Sequence, residues 1–191
     1  QLIGIDASRS RYQEDGGKSR PFRFLNISAW QEHDGIDILI KAFLHAFQEH
    51  AAVTLQLAIQ ADFEQARNEL VELLQSMSIP QAQAARIELL PLQDGPDGAA
   101  ALYQAADCYV SPCRCDLLPT RVLEAAVNGL PIIVSKHGSA PELLPADSIS
   151  CIDVQVGLPL ASTSLAPQLL CWELSSYVEP SEQHLAALLR K

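Results

Sequence analysis

Apolar positions along this chain follow two alternating rhythms: short β-branched or aromatic runs, and longer stretches in which apolar residues return every three or four positions. Phe22 to Ser28 reads as a strand, and Gly35 to His50 as a helix with Ile36, Leu39, Ile40, Phe43 and Phe47 along one face. Val53 to Gln60 is a second strand. It is followed by a helix from Asp62 to Met77 whose apolar line includes Phe63, Ala66, Leu70, Leu73 and Leu74. Arg86 to Pro91 is a third strand, Ala99 to Ala106 a helix and Asp107 to Ser111 a fourth strand. Pro119 to Asn128 is a helix with Pro119 just inside its start and Gly129 just past its end. Leu130 to Ser135, Ala140 to Leu144 and Ser150 to Val154 then read as strand, short helix and strand.

Such alternation predicts an α/β domain, a Rossmann-like doubly wound parallel sheet with helices on both faces. Ligands of such sheets bind outside the carboxyl ends of the strands. Residues 155–178 break the pattern, since Pro159 and Pro167 with Ser and Thr between them mark a loop carrying one short helical piece near Leu169 to Leu174. It is expected to be a packed loop inserted before the last helix. The domain is expected to span residues 22–191, after a hinge or linker segment at 1–21.

The segment from Cys108 to Leu144 concentrates the chemistry. The strand at CYVSP ends in Pro112 and leads to a helix N-terminus, where unpaired backbone N–H groups favour a phosphate by roughly 0.3–2 kcal/mol. Asp116 stands on the loop before this helix, and Glu124 lies over one turn inside it. A carboxylate at Glu124 can accept from a ribose diol, and one at Asp116 can meet sugar hydroxyls.

Asp116, LLPTRVL, Glu124, AAVNG, Leu130 and Pro131 together resemble the donor-binding signature of the retaining glycosyltransferases of the GT-B fold, the glycosyl transferases group 1 family. That signature is an acidic residue, seven residues, Glu, small residues, Gly, an apolar residue and Pro. LIGIDASRSRY at Leu2 to Tyr12 is similar to the hinge that opens the second domain of such enzymes. Arg23 to Phe43 resembles their first strand, loop and helix, and Ser176 to Arg190 the tail of a subset of them. The resemblance therefore implies the second half of a GT-B fold.

Length agrees with one half rather than a whole enzyme: 191 residues suffice for one Rossmann-like unit, whereas two need about twice as many. The missing half is expected to be the N-terminal, acceptor-binding domain of the same polypeptide, and this chain a fragment of it. The net charge of −10 argues against a nucleic-acid partner, because phosphate neutralisation needs clustered Lys and Arg. Residues 1–23 hold five basic residues against three acidic ones, and read as a solvated linker. No apolar stretch reaches the ~18 residues of a membrane span and no signal peptide is seen, so a cytoplasmic protein is expected. Five cysteines, Cys108, Cys113, Cys115, Cys151 and Cys171, lack metal-ligand spacing and read as reduced thiols.

The resemblance also assigns roles. Glu124 takes the place of the Glu that binds the nucleotide ribose, although it stands three residues from Arg121 and can simply pair with it. Asp116 takes the place of the acidic residue that contacts the transferred sugar, with a reach ~1.5 Å shorter than Glu, or else caps its loop. The backbone N–H groups of Leu117 and Leu118 would face sugar and diphosphate, and Thr120 adds a hydroxyl at the helix start. Two departures oppose these matches. Where the family carries an Arg and, five residues later, a Lys that hold the diphosphate, this chain has Ala29 and Asp34. An Asp carboxylate ~5 Å from a phosphate repels it by roughly 3 kcal/mol at an effective dielectric near 20. Asp34 has a local use as the N-cap of the helix that follows Gly35. Of the other groups near the motif, Arg114, Lys136, His137 and Arg121, the last sits in the first turn of the helix and is the natural substitute cation. His137 and Gly138 fall on a turn expected to approach the sugar.

The expected function is therefore donor binding in a hexosyltransferase that uses a nucleoside-diphosphate sugar, with retention, and with a glycan or lipid-linked acceptor. No cofactor or metal is expected, and the chain alone is expected to be inactive. A degenerate domain that serves for docking is the alternative, and a sugar-nucleotide epimerase of the same fold a third possibility.

Overall fold

The structure is a computed structural model that describes residues 20–47, 52–60, 62–77, 86–92, 96–115, 118–156 and 177–191. Six strands form one parallel sheet: β1 (Phe22–Ser28), β2 (Val53–Ile59), β3 (Ile87–Pro91), β4 (Cys108–Ser111), β5 (Ile132–Ser135) and β6 (Ile149–Ile152). Their order is β3-β2-β1-β4-β5-β6, the doubly wound order, in which the direction of winding reverses between β1 and β4. Among the described residues the helices are α1 (Ile36–Ala46), α2 (Phe63–Ser76), α3 (Pro96–Ala105), α4 (Thr120–Val127), α5 (Ala140–Leu143) and α6 (Glu182–Leu189).

Two apolar cores follow from the period-two alternation of the strands. Phe24, Leu55, Leu57 and Ile59 face one side and pack with Ile36, Leu39, Ile40, Phe43 and Phe47 around α1, with Ala66 and Leu70 of α2 and with Leu185 of α6. Leu25, Ile27 and Ala58 face the other, against Ala99 and Tyr103 of α3, Val122, Ala125 and Ala126 of α4 and Ala140 of α5. The apolar line expected on the first helix is buried throughout, whereas Phe63, Leu73 and Leu74 of α2 are only half-buried. Helix α6 lies along α1, and Arg190 donates to the carbonyls of Ala46 and His45 at 3.0 and 2.8 Å, which satisfies the end of α1.

Helix ends decide the local geometry. Asp62 caps α2 by accepting from Glu64 N and Gln65 N at 3.0 and 3.1 Å, and Ser181 caps α6 by accepting from His184 N at 3.2 Å. Beyond α4, Gly129 at φ +70° lets its own N–H reach Ala126 O and that of Leu130 reach Ala125 O, a Schellman ending. Helix α4 starts at Thr120, and Pro119 occupies its N-cap position rather than the first helical one.

Two expectations are corrected. Asp34 is not the N-cap of α1; that position belongs to Gly35, at φ +68°. Asp34 instead ends a short 3-10 turn, Glu32–Asp34, and its carboxylate accepts from Gln31 N at 2.7 Å. The extra turn places Asp34 one residue too early to cap the α-helix. The margins of the expected loop at 155–178 are also strand: β7 (Val154–Val156) pairs antiparallel with β8 (Val178–Pro180). Three-residue strands show too little alternation to be read from periodicity. The rest of that loop, 157–176, and residues 1–19 of the expected hinge or linker at 1–21 lie outside the described residues.

Candidate functional site

The site is set by the parting of β1 from β4. Their ladder pairs Phe24 with Cys108 and Leu25 with Tyr109 and goes no further. Beyond that point two side chains span the widening gap: Asn26 Nδ2 donates to Val110 O at 2.8 Å, and the Tyr109 hydroxyl donates to Ile27 O at 3.3 Å. The crevice so formed is where ligands of doubly wound sheets sit. Asn26 Oδ1 and Ser28 Oγ are buried beside it and find no partner among the described residues.

One wall is the turn from β1 to α1. Ala29 is exposed there, and Trp30 takes φ 60°, costly for a bulky residue by about 1–2 kcal/mol. Its indole donates to Glu69 Oε2 of α2 at 2.7 Å, and its ring packs against the core, which holds it in place. Burial raises the pKa of Asp34, and the hydrogen bond from Gln31 and the nearness of His33 only partly offset this. Gly35 meets the residue that follows β4 so closely that a Cβ on it would lie 2.0 Å from Pro112 O.

The other wall is the N-terminal part of α4. Glu124 Oε2 accepts from the Tyr103 hydroxyl of α3 at 2.8 Å and from Arg121 at 2.9 Å. Arg121 also donates to Gln60 Oε1 at 2.9 Å, and Gln60 follows the last residue of β2. The expected pair Arg121–Glu124 is thus present, and it is tied across the carboxyl edge of the sheet. Glu124 remains 46 % exposed, and its Oε1 has no partner among the described residues. Burial opposes the charge of Arg121, but the hydrogen bond and charge of Glu124 outweigh it and raise the guanidinium pKa. Thr120 and Leu118 are exposed at the same end. Asp116 and Leu117 lie outside the described residues.

Arg114 stands apart from the site. Its side chain is only 4 % exposed, and its guanidinium donates to both oxygens of Asp37, to both of Glu179 and to Glu32 O, at 2.6–3.1 Å. Burial works against the charge, yet these partners raise its pKa. It clamps the β1–α1 turn, α1 and β8 together and offers no donor to a phosphate. Tyr177 adds to the clamp by donating to Glu32 Oε1 at 2.9 Å. Lys136 is exposed at the end of β5, followed by half-buried His137 and by Gly138 at φ +82°. Cys108 and Cys151 form no disulfide among the described residues, and burial followed by the charge of Asp107 pushes the Cys108 thiol up to about 12.

The sequence placed Glu124 and Arg121 together but missed Tyr103 and Gln60. The only available signal was a Tyr on the inner face of a helix, whose hydroxyl needs a partner when buried. Nothing in a spacing of 21 residues names that partner.

Comparison with known proteins agrees with this geometry. No curated protein matches the chain. Among solved structures it is similar to the C-terminal domain of a glycosyl transferase group 1 family protein (LpcC) from Francisella tularensis, at 19 % identity, covering 78 % of this chain and 80 % of that one, with TM-score 0.57. It also resembles the pneumococcal O-GlcNAc transferase GtfA, which was solved with UDP and GlcNAc: 19 % identity, 92 % of this chain, 30 % of that one, TM-score 0.54. A UDP-forming trehalose-phosphate synthase from Burkholderia xenovorans has 14 % identity, 90 % and 36 % coverage and TM-score 0.60. The chain thus spans about a third of the length of these last two proteins. Likeness at such identity shows the fold, the Rossmann-like half of a GT-B architecture. The sequence profile described as "Glycosyl transferases group 1" matches residues 21–159, and the chain belongs to that family.

Proposed function

We propose that this chain is the donor-binding half of a glycosyltransferase that moves a hexose from a nucleoside-diphosphate sugar to a glycan or lipid-linked acceptor with retention. The observation that carries this is Glu124: a half-exposed carboxylate beside the β1–β4 crevice with one oxygen held by Tyr103 and Arg121 and the other open. In this role Oε1 accepts from the nucleotide ribose, while Asp116 contacts the sugar. The N–H groups of Leu117 and Leu118 and the Thr120 hydroxyl serve the sugar and diphosphate. Arg121 supplies a positive charge at the start of α4, but Glu124 at 2.9 Å cancels much of its field. Phosphate is therefore held weakly by this chain, and the acceptor site belongs to an N-terminal half of the same polypeptide, so that the isolated chain is inactive. Neither a cofactor nor a metal enters the proposal, and the thiols of Cys108 and Cys151 suit a cytoplasmic setting.

Calorimetric titration with UDP, GDP and ADP tests the proposal. One of the three is expected to bind, weakly, and Glu124→Gln to weaken it further. A loss of binding no greater in Glu124→Gln than in an exposed-surface control sinks the assignment. A second role, a non-catalytic docking domain, is favoured by Asp34, whose carboxylate sits where the resemblance places a cation. That role predicts no binding of any of the three.

A further inference from the structure

The contacts of Glu124 divide its two oxygens unequally. Oε2 accepts two hydrogen bonds, from Tyr103 at 2.8 Å and from Arg121 at 2.9 Å. A carboxylate oxygen has two acceptor positions, so Oε2 is filled. Oε1 keeps both of its own, on the half-exposed side of the group. The Tyr103 hydroxyl has one proton and two acceptors within reach, Glu124 Oε2 at 2.8 Å and Arg121 O at 3.2 Å, and the shorter, charge-assisted contact takes it. Burial, and then the hydrogen bond to Glu124, raise the pKa of this hydroxyl, so it remains a donor across the neutral range. Arg121 is in turn held from the far side by Gln60 at 2.9 Å. Three elements, α3, α4 and the end of β2, therefore hold one rotamer of one carboxylate.

We infer that Tyr103 is a positioning residue which, with Arg121 and Gln60, makes Glu124 a one-oxygen acceptor for a cis-diol, so that the site takes ribonucleotides in preference to their 2′-deoxy analogues. This rests on the donor-binding role of Glu124. A ribose offers two adjacent O–H donors, and Oε1 offers two acceptor positions that no protein group uses among the described residues. A 2′-deoxyribose fills only one, and the other must be left to water. Without the Tyr103 hydroxyl, Oε2 loses a donor and the carboxylate turns more freely, so the diol no longer meets a prepared acceptor.

The test measures the ratio of Kd values for each 2′-deoxynucleoside diphosphate and its ribo form, with UDP, GDP and ADP as probes, on the intact polypeptide. The unaltered protein is expected to prefer the ribo form by about tenfold, the worth of one to two net hydrogen bonds. Tyr103→Phe is expected to lower that preference to about threefold or less, chiefly by weakening ribo binding, and Gln60→Ala, a change at an exposed position, to lower it about twofold. Glu124→Gln separates the two levels of the argument. If it leaves the preference intact, or if none of the probes binds, the ribose role of Glu124 fails and the inference with it. If Glu124→Gln abolishes the preference while Tyr103→Phe and Gln60→Ala preserve it, the ribose role stands and the positioning role is overturned. An equal loss of affinity for ribo and deoxy forms in Tyr103→Phe would likewise mean that the hydroxyl only supports the fold.

Discussion

Arg114 and Asp37, 77 residues apart in the chain, meet through two parallel contacts of 2.8 and 2.9 Å. The pair joins the loop after β4 to the first turn of α1, and Glu179 of β8 completes it from a third side at 2.8 Å. Its carboxylates are half-exposed while its guanidinium is buried, so the ordering falls mainly on the cation.

Arg114→Ala leaves two carboxylates facing an empty, partly wet space. Because both can recover some solvation, the expected loss of stability is about 2–3 kcal/mol, below the 3–5 kcal/mol of a fully buried pair. Urea denaturation at neutral pH measures it. A change under about 1 kcal/mol would mean that the clamp is no stronger than a surface pair.

Two acids in this region are linked to pH with opposite signs. Burial raises the pKa of Asp37, but the hydrogen bonds and charge of Arg114 more than reverse this, and the net shift is downward. Its contribution to stability is present above the usual carboxylate pKa, and is lost as pH falls through the lower folded value. Asp34 is shifted upward, so the folded state binds its proton more readily, and its effect on stability improves as pH falls through that raised value towards the ordinary carboxylate pKa. Denaturation from pH 7 down to pH 3, a range that takes in the ordinary carboxylate pKa of about 4, should therefore show wild type gaining on Asp34→Asn as pH falls and losing on Asp37→Asn at the acid end. Parallel curves for Asp34→Asn and wild type would remove the burial argument.

Gly35 and Gly129 have nearly the same backbone angle, φ +68° and +70°, but different surroundings. At Gly129 nothing lies within 4 Å of an added Cβ, so Gly129→Ala should cost only the left-handed strain, about 1–2 kcal/mol. At Gly35 the Cβ would stand 2.0 Å from Pro112 O, a backbone atom that cannot step aside. Gly35→Ala should cost about 2–4 kcal/mol, and should also push the β1–α1 turn away from the segment that follows β4. Equal losses in the two variants would show that the close approach to Pro112 is not maintained in solution.

Restoring a cation tests the missing phosphate clamp. Ala29 is exposed, so Ala29→Arg has room, whereas Asp34→Lys would also remove the carboxylate that accepts from Gln31 N. Ala29→Arg alone is expected to tighten nucleoside-diphosphate binding by about threefold to tenfold at low salt, and the gain should fade as ionic strength brings the Debye length to ~10 Å at 0.1 M. Calorimetry at two salt concentrations reads it. A gain that survives in Glu124→Ala would reveal non-specific attraction and no common site.

The layers of this domain are written in short-range patterns. Ile36, Leu39, Ile40, Phe43 and Phe47 announce the buried face of α1, and Gly129 the end of α4, because helical periodicity and capping depend on residues three or four apart. The signature around Glu124 was legible for the same reason: its spacing falls within one strand, one loop and one helix. The roles of individual polar groups were decided elsewhere. Arg114 looked like a spare cation near the motif and proved to be a buried clamp, since Asp37 and Glu179 reach it only once α1 and β8 have packed. Asp34 left the helix it seemed to cap because the chain fitted in a 3-10 turn first. Tyr103 and Gln60 gained their part from α3 and β2 arriving beside α4. Which donor meets which acceptor is fixed by tertiary packing, because a buried polar group takes whatever partner the folded core leaves within about 3 Å, and no local period in the sequence encodes that distance.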